Sequence, residues 1–314
     1  MKKLVLILSS AFISFSVMSA QDLESATNAY NEGATALNDG NYQLAIEKFE
    51  SALTMAAAIG SDADELAANC KKTIPALYIQ IAKGLINDKN YAEALSSLET
   101  ASAKAGEYAQ EESIQEAKEI TAVVYLAQGQ GELKDKDFAG AADHFQKAAE
   151  ADPSNGQAWL LLGQSAVRSG DENAAFAAFD KAKELGLGDK VEKEMAKYYY
   201  GVSVASYKAK KFTEAYEAGV KASSYNAPEG VKALSIAGKA AYAAKKYAET
   251  VDCLTKYIAG NPQAKDMNQT LYQIADSLEK LGKKSDACGY FKQIPASDAN
   301  FGAYAAGKIK ELGC

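Results

Sequence analysis

The chain has 314 residues, with 34 Lys and Arg against 41 Asp and Glu for a formal net charge of −7. Phosphate binding needs a basic footprint, so this acidic balance excludes a general nucleic-acid binder. Hydrophobic residues make up 48%, Pro numbers only 5, and no β-branched run is long enough to build a sheet, so the composition predicts an all-α chain.

The elements begin with residues 1–20. Lys2 and Lys3 form a charged start, Leu4 to Met18 are apolar apart from Ser9, Ser10, Ser14 and Ser16, and small residues lead into Gln21. A stretch of about 15 residues is short for a membrane span, and the order charged, apolar, small predicts a secretory signal peptide cleaved after Ser19 or Ala20. No cysteine follows the apolar run to carry a lipid. The expectation is export, with the periplasm as the first destination and the exterior as the other, and no membrane insertion once the signal is removed.

Beyond residue 20 one phrase returns seven times: DGNYQLA at 39–45, DKNYAEA at 88–94, DKDFAGA at 135–141, GDENAAF at 170–176, KKFTEA at 210–215, KKYAET at 245–250 and KKSDA at 283–287. Recurrence at spacings of roughly 34 to 49 residues predicts a repeat array, in which each helix pair buries its apolar face only against its neighbours. A stacked array has no single core to outgrow, and no Gly/Ser/Pro linker divides the chain, so residues 21–314 are read as one repeat domain. Ala-, Glu- and Lys-rich stretches from Gly60 to Ile74 and from Ala109 to Thr121 read as lengthened helices, with Pro75 near a first turn or at a kink.

Around the phrase, Trp159, Leu162, Gly163, Ala175, Phe179 and Ala182 fall in an order that resembles the tetratricopeptide repeat family. Gly33, Ala45, Phe49 and Ala52 repeat it, as do Ala82, Ala94, Leu98 and Ala101, and then Gly129, Ala141, Phe145, Ala148 and Pro153. Later units keep Phe212, Ala215 and Ala222; Gly238, Tyr247, Leu254 and Pro262; and Ala275, Ala287 and Phe291. The resemblance implies a right-handed α-solenoid of about seven helix pairs, near residues 26–59, 75–108, 122–155, 156–189, 196–229, 231–264 and 268–301, closed by a capping helix at 301–314. Helices approach closely where small residues face each other, so Gly163 is expected against Ala175, with Phe179 filling the wedge between repeats. Gly219, Thr250 and Tyr257 depart from the pattern, which asks there for one large residue and two small ones.

The chemistry-bearing residues are sparse. Cys70, Cys253, Cys288 and Cys314 lie too far apart in sequence for a CxxC metal or redox pair. Cys288 and Cys314 are the candidate disulfide, pinning the capping helix over the last apolar face, with two buried reduced thiols as the other reading. His144 reads as a surface or packing residue. Gly238-Lys239-Ala240 resembles the close of a phosphate loop, but it lacks the magnesium-binding hydroxyl, has Ala233 in place of the first glycine, and falls within a predicted helix. No carboxylate spacing singles out an acid/base pair, so no catalytic residue, metal or cofactor is expected.

In the resembled family the first helix of each pair lines a concave groove. By that resemblance the exposed positions include Lys197, Tyr200, Tyr207 and Lys208, then Lys232, Lys239 and Tyr242, then Tyr272. Tyrosine gives rigid amphipathic area and lysine a point charge, a combination that suits an extended acidic peptide or a carboxylate tail. The same residues also read as packing tyrosines and solvating lysines. The implied function is a non-catalytic protein–protein interaction scaffold of the cell envelope. The alternative is a self-associating, homo-oligomeric structural module using apolar first-helix positions such as Ile79, Ile86 and Leu126; an enzyme is a distant third.

Overall fold

A computed structural model describes residues 21–314; the signal-peptide reading of residues 1–20 lies outside the described residues. Among the described residues all regular structure is helical. Residues 21–38 form α1, followed by α2 (Tyr42–Ile59), α3 (Asp64–Asn87), α4 (Tyr91–Glu107), α5 (Glu111–Asp135), α6 (Phe138–Ala151), α7 (Gly156–Ser169) and α8 (Glu172–Ala182). Then come α9 (Gly188–Lys208), α10 (Phe212–Ser223), α11 (Pro228–Ala243), α12 (Tyr247–Gly260), α13 (Met267–Lys280), α14 (Lys284–Phe291) and α15 (Gly302–Leu312). The chain divides into two compact units, one ending at Ala178 and the other spanning Phe179–Cys314. Each is an α-solenoid of packed helix pairs.

The recurring phrase is the turn inside each pair, and its chemistry follows from helix termination. Gly40, Lys89, Lys136, Gly170, Lys210, Lys245 and Gly282 all sit in the left-handed region, with φ between 59° and 92°. In each case the next N–H bonds to the carbonyl five residues back, as in Asn41 to Ala36 at 2.8 Å, Asp137 to Glu132 at 2.9 Å and Lys211 to Ser206 at 2.9 Å. This is the Schellman arrangement, which satisfies carbonyls that the ending helix would leave unpaired. The same short turn then starts the second helix, where Asn41, Asp137 and Asp171 accept from the N–H groups of Leu44, Gly140 and Ala174 at 3.2, 2.9 and 3.0 Å. A lysine in the left-handed region carries a cost of about 1–2 kcal/mol that glycine avoids. Lys210→Gly should therefore stabilise the chain by about 0.5–1 kcal/mol after the added unfolded-state entropy is subtracted, read as a rise in urea midpoint at constant slope.

Each apolar cluster draws on consecutive helices, as nearest-neighbour stacking requires. Ala29 and Ala36 of α1 meet Ile46 and Phe49 of α2 and Ile74 and Leu77 of α3. One step on, Ile79 and Ala82 of α3 meet Leu98 of α4 and Val124 of α5. In the carboxy-terminal unit, Leu254 of α12 and Ile274 and Leu278 of α13 pack with Phe291 of α14 and Ala305 of α15. Ile79 is fully buried in this way, which corrects its reading as an exposed position for self-association.

Two details of packing add to the expected register. At Gly33, Gly129 and Gly238 the glycine of the first helix faces the large residue of the second: a Cβ on Gly33 would lie 3.0 Å from the Phe49 ring, one on Gly129 would lie 2.7 Å from Phe145 Cε1, and Gly238 abuts Leu254. Absence of a side chain there lets the ring lie directly on the helix backbone. Where the large residue is missing, at Gly219, the backbones close in instead, so that a Cβ would come within 2.9 Å of both Ala233 O and Ser203 Oγ. Ser203 is buried there and donates to Ala215 O at 2.7 Å.

The stretches at 60–74 and 109–121 supply the early turns of the next pair's first helix, giving α3 and α5 lengths of 24 and 25 residues. Pro75 stands buried inside α3, well past its first turn. A similar lengthening in α9 goes unannounced in the sequence: Gly186, at φ 86°, breaks the chain after α8, and α9 starts at Gly188 rather than near 196.

Candidate functional site

The first helices of the carboxy-terminal unit, α9, α11 and α13, carry the tyrosines and lysines singled out from the sequence. Lys197, Lys208 and Lys232 are exposed, and Lys197 pairs with Glu194 at 2.8 Å on the same helix. Exposed pairs of this kind contribute little and leave the ammonium free to exchange partners. Tyr200 and Tyr207 are half-buried; the Tyr207 ring lies 5.8 Å from that of Phe212.

Lys239, Tyr242 and Tyr272 are engaged inside the unit. Lys239 Nζ lies 2.6 Å from Asp266 Oδ2, at the start of α13, and Tyr257 donates to Asp266 Oδ1 at 2.9 Å. The Ser235 hydroxyl lies 3.4 Å from the same carboxylate, so Asp266 ties α11 and α12 to α13. Burial alone would raise the Asp266 carboxyl, but the hydrogen bonds from Lys239 and Tyr257 and the Lys239 charge outweigh it and hold it below the usual range. A carboxyl lowered by folding contributes stability that is present above its unfolded value and lost as pH falls through its folded one. Asp266→Asn should accordingly flatten the loss of stability below about pH 4, measured by urea denaturation across the carboxylate range.

Tyr242 donates to Asp276 Oδ2 at 3.0 Å, and its phenol is pushed far up by burial first, then by its hydrogen bonds with Tyr272 and Asp276. Tyr272 stacks on Phe301 at 5.2 Å and meets Tyr304 edge-on at 5.1 Å. Lys308 of α15 pairs with Glu279 at 2.8 Å and Glu311 at 3.1 Å. Face positions of α13 are therefore partly roofed by α15. Another aromatic group that the repeat register does not mark lies at the α10–α11 turn, where Tyr199 stacks on Tyr225 at 6.0 Å and Lys221 lies over both rings.

His144 Nδ1 lies 2.8 Å from Glu132 Oε2 and ties α6 to α5. Gly238 and Lys239 lie inside α11. Among the described residues no group of three or more His, Cys, Asp or Glu is placed to hold a metal ion, and no helix is long and apolar enough to cross a membrane. Cys288 and Cys314 form a disulfide with Cα atoms 5.8 Å apart, while Cys70 and Cys253 are free and buried. Burial pushes both free thiols up to about 11. Thiolate is the reactive form, so an alkylating reagent at mildly alkaline pH should leave both unmodified in the folded chain and label both in denaturant, read by mass.

The tetratricopeptide repeat family profile matches residues 126–189, from within α5 to the start of α9. That matched segment is a tetratricopeptide repeat, and the same turn chemistry and packing register recur in the helix pairs on either side of it. No curated protein sequence matches the chain. Among solved structures it is similar to MamA protein, at 22% identity over 62% of this chain and 94% of that one, with a TM-score of 0.35. It is also similar to the TPR2AB domain of yeast Sti1 in its pHSP90 complex, at 15% identity over 92% and 97% with a TM-score of 0.32. YrrB, described as a TPR protein with an unusual peptide-binding site, aligns at 16% identity over 60% and 92% with a TM-score of 0.34.

Proposed function

We propose that this chain is an exported, non-catalytic scaffold of the cell envelope that holds a protein or extended peptide on the first-helix face of its repeats. The observation that carries the reading is the row of half-buried tyrosines on successive first helices, Tyr200 and Tyr207 on α9, Tyr242 on α11 and Tyr272 on α13, flanked by the exposed Lys197, Lys208 and Lys232. Half-buried tyrosines are already ordered, so a partner gains aromatic contact area at small entropic cost. The lysines add charge that favours an acidic stretch at the α9–α11 end. Export rests on the charged, apolar and small residues of positions 1–20.

The test is affinity capture from envelope extract with the mature chain and with a variant carrying Tyr200→Ala, Lys197→Glu, Lys208→Glu and Lys232→Glu. These positions avoid Lys239, Tyr242 and Tyr272, whose internal bonds would confuse binding with folding. A partner held by the first and lost by the second, at equal helicity, supports the scaffold. A concentration-dependent mass with no heterologous partner would replace it by self-association.

A further inference from the structure

The α13–α15 end of the same face has the opposite electrostatic character, and its buried groups are out of balance. Asp276 is only 7% exposed, accepts from the neutral Tyr242 hydroxyl, and has no cationic partner among the described residues. Glu279 gives one oxygen to Lys308, while its other oxygen is buried without a hydrogen-bond partner. Gln273, one turn before Asp276 and 8% exposed, has a buried Oε1 in the same state, as has the Ser277 hydroxyl. The ammonium at hand, Lys308, is shared between Glu279 and Glu311. Buried acceptors without donors are costly, and a buried carboxylate without a cation more so.

Aromatic rings stand around this surplus. Tyr242 donates to Asp276 at 3.0 Å, and Tyr304 lies edge-on to Tyr272 while remaining 41% exposed. The Tyr304 phenol is raised by burial, then by Tyr272, and also by the charges of Asp276 and Glu279, against the opposing effect of Lys308, so it lies within their field. A carboxylate held only by a neutral phenol beside the part-exposed Tyr304, over whose ring Lys308 Nζ already lies at 5.9 Å, matches a cation: the charge meets the Asp276 carboxylate and the flanking methylenes cover the open part of Tyr304.

We propose that Asp276, with Tyr242, Tyr272 and Tyr304, receives the ammonium of a lysine side chain from the bound peptide. This rests on the scaffold reading above and adds a direction to it: the acidic part of the peptide lies toward the lysines of α9 and α11, and its lysine toward α13 and α15.

The test uses the oxidised full mature chain and a Gly/Ser peptide with one central lysine, compared with the same peptide acetylated on Nζ, by calorimetric titration. The unmodified peptide should bind at least about tenfold more tightly than the acetylated one, a difference of about 1.4 kcal/mol. Asp276→Asn, which still accepts from Tyr242, should erase that preference at unchanged helicity. Tyr304→Ala, at an exposed position, should weaken it several-fold. Asp252→Asn, an exposed carboxylate on α12, should leave it intact. Equal binding of the two peptides, or a preference that survives Asp276→Asn or falls equally with Asp252→Asn, overturns the subsite and leaves a general attraction of an acidic protein for cations. Partner capture from extract that ignores Asp276→Asn also overturns the subsite but leaves the scaffold standing. An Asp276-dependent lysine preference with no captured protein supports the subsite and removes the scaffold.

Discussion

Phe145→Ala should lower the stability of the amino-terminal unit by about 3–5 kcal/mol, the range for emptying a fully buried aromatic site. Phe145 is wholly buried, between Ala141 on its own helix, Leu162 on α7 and Ala178 on α8. Its ring also lies on the backbone of α5 at Gly129. Gly129, directly against the ring, has no side chain to fill the space, so collapse would have to come from Leu126 and Leu133 of α5, which pack at the edge of the cluster, and the cost should sit within that range. Ala141 and Ala178 are too short to reach across from the other sides. Nearest-neighbour stacking makes a further demand, that hydrogen exchange quicken mainly in α5, α6 and α7 while the helices around α13 keep their protection. A loss under 1 kcal/mol, measured by urea unfolding, would mean that the ring does not hold the repeat together.

The architecture was legible because its punctuation is chemical. A left-handed residue followed by an N-cap must recur wherever two helices join by so short a turn, and Gly40-Asn41, Lys136-Asp137 and Gly170-Asp171 spell that out. The start of α9 was not legible, since Gly186 and Gly188 read alike as breakers, whereas one ends a helix at positive φ and the other begins the next. The face residues were half legible. Repeat register placed Lys239 and Tyr242 on α11, but the carboxylates that engage them, Asp266 and Asp276, come 27 and 34 residues later. Register says which way a Cβ points, not which long side chain reaches over from the next repeat. The same limit explains Ile79: its helix position suggests exposure, yet the lengthened α5 lays Val124 and Ala117 against it.

Cys314→Ser should destabilise the carboxy-terminal unit by about 3–4 kcal/mol in oxidising buffer, the loop-closure value for a bridge spanning 26 residues. The size of the effect depends on how little else holds α15. Its fully buried residues, Gly302 and Ala305, offer no large apolar side chain, and its other ties are the half-buried Ile309 and Leu312 against the last apolar cluster, the ring contacts of Tyr304 with Tyr272 and Phe291, and Lys308 on Glu279. Lys292 donating to Cys314 O at 2.9 Å adds a bond that depends on the same chain end staying in place. Three comparisons separate the bond from its side chains. Cys288→Ser and the double variant should each match Cys314→Ser, because any one change opens the same loop. A dithiol reductant should bring the wild type down to the level of the variants and leave the variants unmoved. Proteolysis should then cut first between Phe291 and Gly302, where α14 passes to the cap, and expose Leu278, Phe291 and Ile294. If the variants remain less stable than wild type under reductant, the sulfurs matter as packing atoms, and the cap is held by its aromatic and ionic contacts rather than by the bridge.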